Sequence, residues 1–283
     1  MKVASGALPT TFLQRDKKLK TYLKNPQSLV MTAIANTLVL LCSVILASPA
    51  FAAKEPRKFY GFAFDDATGK YLYTEVHQHI YDGDRWLSGS VRYFSPDNHL
   101  MGEKTLDFSK DPYIPVFRSK FPLEHYEEAV ANLTPSAIEL EKLFEGKQQK
   151  VSIDRQPGMV ADAGFNCYIV DHLADLSSGK TAQFAFVVAG QLDKYSFRLK
   201  KAGDGTVDGH PVIKIKGEPD SFLRYLISPL QMTYDLQTKT LVEYRGTSNL
   251  HDPQSGKVYS AVRIVYPGKP PVGAPAQLPA FDN

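Results

Sequence analysis

The stretch Lys58–Phe108, KFYGFAFDDATGKYLYTEVHQHIYDGDRWLSGSVRYFSPDNHLMGEKTLDF, decides the fold. Aromatic and β-branched residues alternate with polar ones through 58–65, 70–81, 85–94 and 100–108, the period of two that a half-buried strand imposes. Between these runs stand Asp66-Ala-Thr-Gly69, Asp82-Gly-Asp84 and Ser95-Pro-Asp-Asn98. Each is short and carries the residues that tolerate tight turns. Four strands on short turns make an antiparallel meander.

Outward from this block the pattern stays mainly β. Asp111-Pro-Tyr-Ile-Pro-Val-Phe117 reads as irregular, 123–132 as helix by composition, and 136–144 and 149–154 as strands. A helix is expected over 159–176, where Phe165, Ile169, Leu173 and Leu176 form one apolar stripe, Asp162 suits the helix dipole and Gly179 ends the region. Strands follow at 181–189, 194–200, 211–217, 230–235, 240–247 and 257–266, with a short helix at Asp220–Leu226. Too little helix separates them for parallel crossovers. The expected architecture is a curved antiparallel sheet, or half-open barrel, of about ten strands around one central helix. The tail from Pro267 is rich in Pro, Gly and Ala and is expected to be extended and mobile.

The front of the chain has a different character. Lys17, Lys18, Lys20 and Lys24 precede the apolar run Leu38–Ala47; Pro49 then breaks it, and Ala50-Phe51-Ala52 supplies a small-x-small cleavage pattern. This predicts an export signal over 1–52, cleaved near Ala52, and a periplasmic or secreted domain over 53–266. Retention as an anchor needs about 20 apolar residues, which the run reaches only if extended to Leu29 across Thr32, Asn36 and Thr37. Lipidation at Cys42 is disfavoured because Leu40 and Leu41 stand where small residues belong. Met31 is an alternative start that would remove the lysines. Without residues 1–52 the chain holds 27 basic and 29 acidic residues, a net charge near −2 rather than +3. No clustered basic surface remains to favour nucleic acid or anionic lipid. Cys167 is then alone, so no internal disulfide forms, and Phe165, Tyr168 and Ile169 around it point to burial.

Several motifs invite chemistry. Glu75-x-His77-x-His79 places three ligand-type side chains on one strand face, with Tyr73 and Tyr81. Such a set could hold a transition metal with a position open to water; the alternative is a solvated face, with Leu72, Val76 and Ile80 filling the core side. Asp171-His172 are adjacent on a helix and diverge by about 100°, so they form no dyad; His172 more simply meets the helix dipole. No nucleophile elbow is present, and Gly203, Gly205 and Gly209 match no phosphate cradle but suit a hairpin. The aromatic residues crowded into 59–94 are either packed core or the lining of an apolar cavity. If a cavity exists, Phe62, Phe64, Tyr93, Phe108 and Phe186 are expected to line it, with Phe165 and Ile169 plugging it from the helix.

Gly69-Lys-Tyr-Leu-Tyr-Thr-Glu-Val-His77, Lys104-Thr-Leu-Asp-Phe108, Ala163-Gly-Phe165 with Asp171-His172, Pro229-Leu-Gln-Met-Thr-Tyr-Asp235, Glu243-Tyr-Arg-Gly-Thr-Ser-Asn249 and Val262-Arg-Ile-Val-Tyr266 together resemble an uncharacterised family of exported bacterial proteins. The resemblance spans most of the domain and implies no activity, substrate or cofactor. In architecture, strands curled round a helix are similar to periplasmic lipoprotein carriers. The expected function is a non-enzymatic envelope protein binding an apolar or lipid-like ligand or a partner protein. The competing classes are a metal-dependent enzyme at Glu75, His77 and His79, and an assembly factor pairing through a sheet edge.

Overall fold

A computed structural model describes residues 55–221, 228–250, 252 and 258–281. The expected signal segment, and the expected short helix from residue 222 onward, lie outside them. The opening strands form where alternation places them: β1 (Glu55–Asp65), β2 (Tyr71–Asp82), β3 (Arg85–Phe94) and β4 (Leu100–Asp107). Their turns set the registers. Gly69 and Gly83 adopt φ of +71° and +59°, which costs little only without a Cβ. The Asp65 carboxylate accepts the Thr68 N–H and hydroxyl at 2.8 and 2.6 Å.

The chain continues through β5 (Val116–Phe121), β6 (Tyr126–Leu133), β7 (Ala137–Phe144), β8 (Lys147–Asp154), β9 (Met159–Ala161) and helix α1 (Gly164–Ser177). It ends with β10 (Ala182–Val188), β11 (Asp193–Val207), β12 (His210–Pro219), β13 (Leu230–Asp235), β14 (Leu241–Gly246) and β15 (Val262–Val265). The described residues thus hold 15 strands rather than about ten. The additional ones have physical causes. Residues 126–133, helical by composition, form β6 because Glu127 and Glu128 lie opposite Lys120 and Ser119 of β5, in a ladder that outweighs local propensity. Only Pro122–Glu124 turns as a single 3₁₀ element. Strand β5 emerges from the proline-pinned segment, and β9 occupies the front of the expected helix.

One sheet contains all 15 strands, in the order β8-β7-β6-β5-β4-β3-β2-β1-β15-β14-β13-β12-β11-β10-β9. Two meanders run away from a central seam where β1 pairs with β15. Every ladder is antiparallel except β9 with β10. Among the described residues, strands β8 and β9 are the two free edges, so the curved sheet does not close. No helix among the described residues is long and apolar enough to cross a membrane.

Helix α1 begins three residues after β9. At Gly164 an added Cβ would lie 2.0 Å from the Tyr113 carbonyl oxygen, so only glycine lets the helix start against that loop. Tyr168, Ile169, Leu173 and Leu176 are buried. They pack with Val160, Phe184, Leu199, Ile213, Ile215, Met232 and Tyr234 on the β9–β13 half of the sheet. Tyr168, rather than the half-buried Phe165, completes the helix's apolar stripe. Asp162 is not in the first helical turn as expected: it precedes the helix at φ +43°. A second core cluster joins β1–β7 and β15, through Tyr73, Val91, Leu106, Phe117, Val130 and Leu140.

Candidate functional site

The ladder registers settle which side chains share a face. Ala63 lies opposite Tyr73 and Ile264, all of them members of the β1–β7 core cluster. The odd-numbered residues of β2 from Tyr73 to Tyr81 therefore point inward. Glu75 and His79 are buried, so this is not the solvated face that the bland reading of the strand expected. Val76 and Ile80 point outward instead, whereas Leu72, unpaired at the β1–β2 irregularity, packs against the inner cluster.

Inside, the polar groups satisfy one another. His77 Nε2 donates to Glu75 Oε2 at 2.9 Å, and the Tyr266 hydroxyl donates to the same oxygen at 3.1 Å. His77 Nδ1 and His79 Nε2 share a hydrogen bond at 3.3 Å. The His77 ring stacks on Phe59 at 4.5 Å and the His79 ring on Trp86 at 4.1 Å. Burial, the His77 ring and Arg57 push the His79 pKa down to about 2, so the His79 imidazole serves as a neutral hydrogen-bonding group. Glycine makes the room: a Cβ on Gly61 would sit 2.6 Å from Glu75 Oε2. The three residues expected to bind a metal are thus strung in a line, each spending an atom on its neighbour. Among the described residues no three His, Cys, Asp or Glu side chains converge on one point.

A second inward group spans β4, β5 and β6. Lys104, Ser119 and Glu128 are successive ladder partners. Lys104 Nζ meets Asp162 Oδ2 at 2.5 Å. Burial opposes the lysine's charge, but Asp162, with Tyr93 and Glu128, more than offsets this and raises its pKa. Glu128 accepts the Tyr126 hydroxyl at 2.8 Å, and burial raises its pKa. The Ser119 hydroxyl is fully buried and, among the described residues, has no hydrogen-bond partner. Sequence reasoning missed this group, although a signal exists. Lys104 is in phase with Gly102 and Leu106, Ser119 with Phe117 and Phe121, and Glu128 with Tyr126 and Val130. A polar residue in phase with the core side chains of its strand marks such a site.

The seven residues expected to line a cavity are not brought together. Tyr93 and Phe108 belong to the β1–β7 cluster, whereas Phe165, Ile169 and Phe186 pack with the helix on the β9–β13 half. Phe62 and Phe64 face outward, opposite Thr74 and Arg263, yet both are buried. A shallow depression of 190 Å³ on β4–β6, bordered by Thr105, Val116, Arg118 and Ala131, touches none of the seven.

The cover over that outer face is the C-terminal tail. Tyr60 donates its hydroxyl to the Pro279 carbonyl at 2.8 Å, Arg92 donates to the Ala280 carbonyl at 2.7 Å, and Asn98 donates to the Gln277 carbonyl at 2.9 Å. Phe281 lies on the Tyr60 ring at 4.5 Å. Tyr60 and Arg92 flank Val76 in the ladders, which accounts for the burial of an outward valine. The tail turns at Pro271–Ala274, where the Ala274 N–H donates to the Pro271 carbonyl at 3.1 Å, and its end is seated on the sheet.

The remaining motifs carry no catalytic geometry. Asp171 accepts the Tyr113 hydroxyl at 2.7 Å, whereas His172 Nδ1 engages the Tyr168 carbonyl at 2.7 Å. The two therefore point to different partners. Burial and Asp171 push the half-buried Cys167 thiol up to about 12, far from a reactive thiolate. Gly209 sits in the β11–β12 hairpin turn at φ +83°.

No family model and no curated protein matches this chain. Among solved structures it is similar to a beta-barrel-like protein of domain of unknown function DUF1849 from Brucella abortus. The two are 9% identical, over 77% of this chain and 97% of that one, with a TM-score of 0.46. The neighbour is itself a domain of unknown function.

Proposed function

We propose that the protein is an exported, non-enzymatic component of the cell envelope that binds a partner protein through the outer face of its curved sheet. The observation that carries this reading is the division of labour between the two faces. Inward-facing ionisable groups are occupied with each other, and the inward aromatics are split between two packed clusters. The outer face of β1–β3 instead seats the tail, through Tyr60 and Arg92. Export is supported by the sequence of residues 1–52, where lysines precede the apolar run Leu38–Ala47 and Ala50-Phe51-Ala52 offers a cleavage pattern ending at Ala52. Cleavage there would leave β1, which starts at Glu55, intact.

Native mass spectrometry of the full chain expressed with its own leader in a bacterial host tests the reading. The expected species begins near Ala53 and has the mass of the polypeptide alone. A lipid or a stoichiometric metal ion retained by the folded protein would favour the interior over the outer face and overturn the proposal. An uncleaved, cytoplasmic chain would overturn the export half.

A further inference from the structure

We infer that the outer face of β1–β3 is a groove for an extended, proline-containing peptide. The C-terminal tail is its resident occupant, and a partner's segment of the same chemistry takes its place. This rests on the outer face being the working surface and adds the class of partner.

The mode of contact argues for exchange. Residues 267–281 contain five prolines, which lack N–H groups and favour an open chain with free carbonyls. Among the described residues, the tail makes no main-chain hydrogen bond to the sheet. Side-chain donors from three places hold it: Tyr60 on β1, Arg92 on β3 and Asn98 in the β3–β4 turn. All three address carbonyls, of Gln277, Pro279 and Ala280. Carbonyl recognition is indifferent to the identity of the residue that bears it, so any chain of similar conformation satisfies the donors. Selectivity comes from Pro279, which is buried, and from Phe281 two residues later, whose ring lies tilted by 39° against Tyr60 with Lys58 Nζ 5.9 Å from its centroid. The groove therefore reads Pro-x-aromatic. Aromatic surfaces with side-chain donors are the general solution for binding proline-rich segments. By contrast Val272, nearer the sheet in sequence, is fully exposed. The tail is held at its far end, as a tethered ligand is.

A tethered occupant competes with a free one at an effective concentration of order millimolar, so the resident tail must be weakened before binding in trans can be seen. The test uses the full-length Phe281→Ala chain and a fluorescein-labelled peptide of residues 275–283, PAQLPAFDN. Anisotropy should show saturable binding to the Phe281→Ala chain and at least about tenfold weaker binding to the wild-type chain. Adding Tyr60→Ala or Arg92→Ala to the Phe281→Ala chain should abolish it, with the melting transition still cooperative. No saturable binding to Phe281→Ala, or binding indifferent to both Tyr60→Ala and Arg92→Ala, overturns the inference. A wild-type dimer that Phe281→Ala converts to monomer assigns the groove to a second copy and overturns the partner assignment. A failed titration alongside an unliganded native mass spectrum removes the groove but leaves the broader reading standing.

Discussion

His79 is held neutral by its surroundings, and this has a pH signature. Burial, the His77 ring and Arg57 push its pKa from 6.5 to about 2. In the unfolded chain the imidazole takes a proton as pH falls through 6.5, whereas in the fold it stays neutral down to about 2. Between those values the unfolded state binds more protons, so stability falls with falling pH, by up to about 1.4 kcal/mol per unit. His79→Phe keeps a ring on Trp86 and removes the titration. Urea midpoints measured from pH 7 to pH 4 should fall less steeply in that variant than in the wild-type chain. Parallel curves would show that His79 is protonated in the fold. At this scale the sequence was half legible. The shared face of Glu75, His77 and His79 follows from strand periodicity, but which face is inside does not. Leu72, Val76 and Ile80 look like the core side because they are apolar. Val76 and Ile80 are outward because the tail and neighbouring strands give that side its own cover, and only Leu72 packs against the inner cluster.

Among elements, the junction of β9 and α1 shows how a tertiary contact moves a boundary. Apolar periodicity extends the helix back to Met159, yet Met159–Ala161 pairs with Ala185–Val187 as a parallel strand. The chain then reverses through Asp162, whose carboxylate is held by Lys104, and Gly164 passes against Tyr113. Helix propensity alone says Gly164→Ala should stabilise by up to about 1 kcal/mol. The Cβ at 2.0 Å from a backbone oxygen reverses that sign, since a main-chain carbonyl cannot move aside as a flexible side chain would. Thermal unfolding of Gly164→Ala should show a loss of about 1–3 kcal/mol, the usual cost of overpacking. An unchanged or higher midpoint would mean that the loop around Tyr113 yields freely. Strand β6 was misread for a related reason: Glu and Ala favour helix locally, and only the neighbours β5 and β7 reveal the ladder. By contrast β3 and β13 match their expected bounds, Arg85–Phe94 and Leu230–Asp235, because turn residues or an apolar switch fix both ends.

For the molecule as a whole, the sheet's order explains both what could be read and what could not. Nearly every neighbour in space is a neighbour in sequence, so alternation and turns reveal the two meanders. The joining of β1 to β15 brings together segments about 200 residues apart, and no local pattern announces it. The same order leaves β8 as a long free edge. An unpaired row of N–H and C=O groups is a template for association unless something blunts it. Strand β9, the other edge, is three buried residues and offers little. Strand β8 runs KQQKVSID and is exposed along most of its length, with Lys150 paired to Glu141 at 2.6 Å. Its two lysines put charge where a second strand would have to dock, at a desolvation cost that opposes pairing. Replacing Lys147 and Lys150 together with valine removes the charge and raises strand propensity, so the edge becomes adhesive without any change in the core. Light scattering over a concentration series should then show assembly of the double variant at concentrations where the wild-type chain keeps a constant mass. If both chains scatter alike while their melting transitions remain equal, the lysines do not guard the edge, and its protection lies in the twist of the strand itself.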